Sequence, residues 1–192
     1  MDANPLISEA YVLEQRRLHG QPQGYGGRGA KWADLVAWLR RHYQAEQLLD
    51  YGCGQGSLAA ALSLRGIACA EYDPAIPGKD QAPEPADLVI CTDVLEHIEP
   101  ERLPAVLADL ARLTRRALFV IVNLEPSNKT LSDGRNAHLI IRPATWWGRQ
   151  LLQASDWFDA ENTLREMPIP PRLLTTDKRR KYLLAVLERR AC

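Results

Sequence analysis

The stretch that most constrains this chain is Leu48-Leu49-Asp50-Tyr51-Gly52-Cys53-Gly54-Gln55-Gly56-Ser57. Apolar residues run into an acid, three glycines alternate, and Ser57 opens an alanine- and leucine-rich run that reaches Arg65. That order predicts a buried strand, a tight turn and a helix start. Glycines without a Cβ let the turn take unusual dihedrals and let a ligand lie close to the backbone. The helix start behind them adds a partial positive end that suits an anionic or carboxylate group.

The spacing narrows what the turn holds. A dinucleotide fingerprint needs G-x-G-x-x-G, and here the third glycine comes one residue early; a phosphate-cradling loop ending in Gly-Lys-Ser/Thr is not present. Asp50-x-Gly52-x-Gly54-x-Gly56 instead resembles the first motif of class I S-adenosylmethionine-dependent methyltransferases of the small-molecule type. Further on, Ala86-Asp87-Leu88-Val89-Ile90 followed by Asp93-Val94-Leu95-Glu96-His97 resembles the fourth-strand motif of the same family. The two motifs stand in the family's order, and the resemblance covers roughly residues 45 to 125. It implies an α/β fold: a Rossmann-like, seven-stranded-type, mostly parallel sheet with helices on both faces. It implies S-adenosylmethionine as cofactor, with Asp50 orienting the turn and reaching the methionine amino group. Gly52, Cys53 and Gly54 would give close backbone approach, and Asp93 with Val94 would line the methionine and adenine side.

Between the motifs, Gly66 is a stop signal and Ile67 to Tyr72 reads as a second strand ending at Asp73-Pro74. Asp73 lies nineteen residues beyond Gly54, where an acid accepts hydrogen bonds from ribose hydroxyls in nucleotide-binding α/β folds. Glu71 shares its strand face and is the weaker candidate. Residues 75 to 86 are proline-rich and short, so a helix and a full third strand hardly fit and a trimmed sheet edge is expected. Asp80 or Gln81 is the candidate for the adenine amino group.

Helical spacing of Trp32, Leu35, Val36 and Leu39, and of Leu103, Val106, Leu107, Leu110 and Leu113, predicts two amphipathic helices laid on the sheet. Ala117 to Val122 reads as the next strand, Pro143 as a helix start, and Asp159 to Met167 with Lys181 to Glu188 as a closing antiparallel pair. Residues 1 to 29 are polar and broken by glycines, a flexible tail or a flap carrying Tyr25, and 30 to 192 form one domain.

The loop from Asn123 to His138 overhangs the carboxyl ends of the strands, where open α/β sheets bind ligands. Tyr25, Lys129, Arg135, Asn136 and Trp147 are the candidate substrate contacts, Lys129 and Arg135 as a clamp for a phosphate or carboxylate. His138 is the candidate general base for a hydroxyl acceptor, and no metal site is expected. His97 is read as structural, with a general-base role as the alternative.

Composition bounds the partners. Lys plus Arg and Asp plus Glu both number 24, so a basic footprint for nucleic acid is missing. The four cysteines form no C-x-x-C pair, which suits a reducing compartment; without a signal pattern or a membrane span, a cytoplasmic protein is expected. The expected activity is methyl transfer to a small polar acceptor, a sugar or nucleotide-sugar hydroxyl. The alternatives are an RNA or protein methyltransferase, or a domain that binds S-adenosylmethionine without turnover.

Overall fold

A computed structural model describes residues 6–21, 25–154 and 181–189. Its elements in chain order are α1 (Glu9–His19), α2 (Ala33–His42), β1 (Leu48–Tyr51), α3 (Ser57–Ser63), β2 (Ala70–Tyr72), β3 (Ala86–Thr92), α4 (Leu103–Leu113), β4 (Thr114–Asn123), α5 (Ala144–Gln153) and β5 (Tyr182–Glu188). Short 3-10 turns at Gly29–Trp32, Leu95–His97 and Pro100–Arg102 join them.

The described strands form one sheet in the order β2-β1-β3-β4-β5, parallel except for β5, which runs antiparallel to β4. Alternate residues of each central strand face opposite layers. Leu48, Leu88, Ile90, Phe119 and Ile121 pack with α2 and α3, whereas Leu49, Val89, Cys91, Val120 and Val122 pack with α4 and α5. Burial on both faces explains why β3 and β4 read as near-continuous apolar runs rather than alternating ones. Helix α4 lays down Leu103, Val106, Leu107, Leu110 and Leu113, the stripe expected from its spacing.

β1 sits between β2 and β3, so the chain reverses its direction of winding there. At such a switch point the loops leaving the carboxyl ends of neighbouring strands diverge and open a crevice. Residues 75 to 85 hold no strand, which leaves β2 at the edge among the described residues, as the short proline-rich segment predicts. β5 corresponds to the second half of the expected closing pair; Asp159 to Met167 lies outside the described residues.

The N-terminal segment carries a helix that its sequence did not announce. Ser8 caps α1 by accepting from the Tyr11 amide, Glu9 stands in the first turn, and Arg16, Arg17 and His19 stand in the last, where each charge suits the helix dipole. Ser8 also ties the helix start to Glu99, its amide and hydroxyl donating to the carboxylate at 2.9 and 2.6 Å. No described helix is long and apolar enough to cross a membrane.

Candidate active site

A cavity of about 520 Å³ opens over the carboxyl ends of the strands, within the range of small-molecule sites. β1 supplies Asp50 and Tyr51 and then the glycine turn; the segment after β2 supplies Asp73, Pro74 and Ala75; the end of β3 supplies Thr92 to Val94. The end of β4 adds Asn123, the loop after it adds Glu125 and Lys129, and the antiparallel β5 brings Tyr182 to the same edge.

The glycine turn is built for close packing rather than for donating hydrogen bonds. Gly52, Gly54 and Gly56 have φ of 75°, 51° and 78°, in the left-handed region. A Cβ at Gly52 would stand 2.5 Å from a Val94 methyl, and one at Gly54 2.7 Å from the Gly26 carbonyl oxygen. The amides of Gly52 and Cys53 donate to the Tyr72 carbonyl, that of Gly54 to Asp73 Oδ2, and that of Gln55 to the Gly26 carbonyl. Gly56 N–H closes on the Cys53 carbonyl. So the amides from Gly52 to Gly56 are all engaged within the protein, and any anion-binding amides belong to the helix start behind them.

Asp73 is 8 % exposed and accepts one amide on each oxygen, from Gly54 at 3.0 Å and Ala75 at 2.9 Å. Each carboxylate oxygen keeps a second acceptor site. Its rival Glu71 is drawn away: Lys79 Nζ holds its carboxylate at 2.8 Å and donates to the Gly54 carbonyl at 3.3 Å. Asp50 is buried beside the turn, and burial, with the charge of Glu71 adding to it, pushes its carboxyl up to about 7.

Asp93 has a φ of 56°, an uncommon conformation for a non-glycine residue and one that recurs at functional sites. Lys31 Nζ, which no sequence signal singled out, holds Asp93 Oδ2 at 2.8 Å. The other oxygen, Oδ1, is buried and has no hydrogen-bond partner among the described residues.

His138 lines the cavity and is 7 % exposed. Its Nδ1 lies 2.5 Å from the Glu125 carbonyl; a carbonyl only accepts, so Nδ1 carries the proton and Nε2 holds the lone pair. Burial lowers its pKa, which keeps the imidazole neutral near pH 7. The rings of His97 and His138 meet edge to face at 4.6 Å between centroids. His97 Nδ1 stands 2.8 Å from the Ala137 carbonyl and 3.0 Å from the Tyr25 hydroxyl, so this ring too presents an unprotonated Nε2. Burial and the neighbouring His138 push its pKa down to about 3.

All eight expected cofactor contacts (Asp50, Gly52, Cys53, Gly54, Asp73, Pro74, Asp93 and Val94) line the cavity, as do Tyr25, Lys129 and His138. Three expected substrate contacts do not. Trp147 is 0 % exposed and packs in the core between α5 and the sheet, because its place on the helix turns it inward. Asn136 braces the loop, accepting from the Ser127 and His138 amides and donating to the Ser127 carbonyl. Arg135 is exposed and pairs with Asp133 at 2.7 Å, two residues away. Asp80 and Gln81 also lie outside the cavity wall. The reading missed Tyr11, Gln15 and His19, which α1 brings to the cavity, and Glu96, which stood in view inside the fourth-strand motif.

A family model described as a methyltransferase domain matches residues 26–167. The chain belongs to this methyltransferase family. No curated protein matches it. Among solved structures it is similar to the 1,6-didemethyltoxoflavin-N1-methyltransferase of Burkholderia thailandensis, with bound 1,6-didemethyltoxoflavin and S-adenosylhomocysteine, at 17 % identity over 95 % of this chain and 89 % of that one, TM-score 0.58. It is also similar to magnesium protoporphyrin IX methyltransferase of Synechocystis PCC 6803, at 20 % identity over 95 % of each chain, TM-score 0.57. At these identities the likeness is one of fold, and it is the Rossmann-like methyltransferase fold expected from the two motifs.

Proposed function

We propose that this methyltransferase moves the methyl group of S-adenosylmethionine onto a hydroxyl of a small polar acceptor, a sugar or nucleotide-sugar being the class favoured. The observation that carries the reading is one cavity with two kinds of wall. A buried acid with spare acceptor sites, Asp73, stands beside a glycine turn at one side, and a neutral imidazole with a free ring nitrogen, His138, stands in the polar loop wall.

The residues present fit the cofactor. Asp73, with its two amide-oriented oxygens, would hold the ribose hydroxyls, and Asp50 would meet the methionine ammonium, an opposite charge that favours its ionised form. Gly52 lets Val94 pack directly on the turn, so that both line the cavity where the methionine and adenine side would lie. When bound, S-adenosylmethionine supplies a methyl on a sulfonium sulfur, and S-adenosylhomocysteine leaves after transfer. His138 receives the acceptor's hydroxyl proton at Nε2 as the oxygen gains the methyl, while Nδ1–H stays on the Glu125 carbonyl and fixes the ring. Much of the remaining rate comes from orientation, because the displacement is in line and needs the oxygen and methyl held together.

The test is transfer of isotopically labelled methyl to a panel of sugars, nucleotide-sugars, amines and bulk RNA or protein. Labelled O-methyl products from the first two classes, with kcat lowered roughly 10²-fold or more in His138→Ala, are expected. Label only on amines or macromolecules contradicts the proposed acceptor, and cofactor binding without transfer to any class points to a binding domain.

A further inference from the structure

We infer that Glu96, His97 and His138 form a binding site for a divalent transition-metal ion in the wall of this cavity. A ring nitrogen of each histidine and a carboxylate oxygen of Glu96 all lie within 4.8 Å of one another. Ligand atoms bound to one ion at about 2.1 Å stand roughly 3–4 Å apart, so closing the set from its widest separation needs an approach of about 1–2 Å.

The surroundings of each group point the same way. Both histidines carry their Nδ1 proton to a backbone carbonyl, Ala137 for His97 and Glu125 for His138. That arrangement is the usual support of a metal-bound imidazole: it sets the tautomer, fixes the ring and leaves Nε2 as a donor. Glu96 is 0 % exposed; its Oε1 accepts the Asn123 amide at 2.9 Å, and its Oε2 is buried with no partner among the described residues. A buried carboxylate oxygen without a donor is costly unless a proton or a cation completes it. The charged neighbours of Glu96 include another acid, Asp93, whose Oδ1 is also buried and without a hydrogen-bond partner among the described residues, and the cation of Lys31. Lys31 is held on the other oxygen of Asp93, so neither unpartnered oxygen receives a hydrogen bond from it.

The site is part of the fold rather than an accident of long side chains. Glu96 and His97 share the 3-10 turn leaving β3, and the Glu96 carbonyl accepts the Ile140 amide, which ties that turn to the strand of loop carrying His138. Two imidazoles and a carboxylate suit Mn²⁺, Fe²⁺, Co²⁺ or Zn²⁺ better than Mg²⁺ or Ca²⁺, which prefer all-oxygen sets. Three protein ligands leave open positions toward the cavity. There an ion would take hydroxyl oxygens of the acceptor and lower their proton affinity; His138 Nε2 then holds the ion, and the base role proposed above belongs to the metal-free chain. This consequence rests on the proposed acceptor reading; the metal site itself does not.

The experiment uses the full chain, stripped with chelator, and two probes. Co²⁺ is titrated with ligand-field absorption as the readout, and Mn²⁺ is added to follow broadening of histidine ring signals by NMR. One Co²⁺ per chain is expected, weakened tenfold or more in Glu96→Gln and in His138→Ala and unchanged in His42→Ala, which sits on α2 stacked on Trp38. In the wild-type chain, Mn²⁺ should broaden His97 and His138 and spare His42, a result that depends on no variant folding. Absence of stoichiometric Co²⁺ binding, or broadening that spares His97 and His138, overturns the site. S-adenosylhomocysteine binding is measured on the same samples by calorimetry. Binding of that ligand without metal sinks the metal site alone, and metal binding without it sinks the proposed function alone.

Discussion

Asp50 is enclosed at the end of β1, with Glu71 as its register partner on β2, and its carboxyl is pushed up to about 7 by burial first and that acid second. The sign of the consequence follows from proton counting. Between about pH 4, where an unfolded aspartate ionises, and about pH 7 Asp50 holds its proton in the folded chain and has lost it in the unfolded one, so its own contribution to stability falls as pH rises through that window. Chemical denaturation across pH 4 to 8 of the ligand-free protein and of Asp50→Asn should differ by an amount that changes by up to about 4 kcal/mol over this window, the wild type losing stability relative to the variant as pH rises. A slope unchanged in Asp50→Asn would remove Asp50 from the account. Gly54 makes a second prediction at this scale. Alanine there adds a left-handed strain of about 1–2 kcal/mol and drives a Cβ into backbone rather than into a movable side chain. Gly54→Ala should therefore lower the denaturation midpoint and loosen the Gly26 contact that closes the turn. A midpoint within a few tenths of a kcal/mol of wild type would contradict it.

Elements were legible in proportion to how strongly one face is apolar. The α4 stripe repeats leucine and valine at helical spacing, and each of those residues is buried as expected. Leu110, fully enclosed between α4 and the sheet, should cost about 2–5 kcal/mol as alanine, read from urea midpoints; under 1 kcal/mol would mean that α4 packs otherwise. Helix α1 was not legible for the converse reason. Its inward residues are Tyr11, Gln15 and Leu18, a face with a polar member in a segment interrupted downstream by glycines, so its periodicity is weak. Its end signals, Ser8 and the basic last turn, were present and were outweighed. Trp147 shows the limit of helical reading in the other direction: two adjacent tryptophans define two directions, and only the sheet decides which one goes inside. Arg135 and Asn136 do not line the cavity because polar side chains of a loop engage nearby groups of the same loop, Arg135 on Asp133 and Asn136 on Ser127.

Over the whole molecule, the site is made where the parallel strands end and the chain reverses between β1 and β3, and this is why residues as distant in sequence as Asp50, Asp73, Asp93 and His138 share one cavity. The cofactor side was visible early because its spacing is carried by backbone geometry, glycines and an acid at fixed offsets. The acceptor side was not, because it depends on how α1 and the loop after β4 fold over the sheet, and only the assembled structure places Tyr25 against His97 and His97 against His138. Calorimetric titration of the full chain with S-adenosylmethionine, alongside NAD and the Asp73→Ala variant, tests whether the cavity beside the glycine turn holds that cofactor through Asp73. One site of micromolar affinity is expected for S-adenosylmethionine and none for NAD, with a loss of roughly tenfold to a hundredfold in Asp73→Ala, the effect of removing hydrogen bonds to a charged acceptor. Absent binding of S-adenosylmethionine, or equal binding by wild type and Asp73→Ala, would contradict that reading.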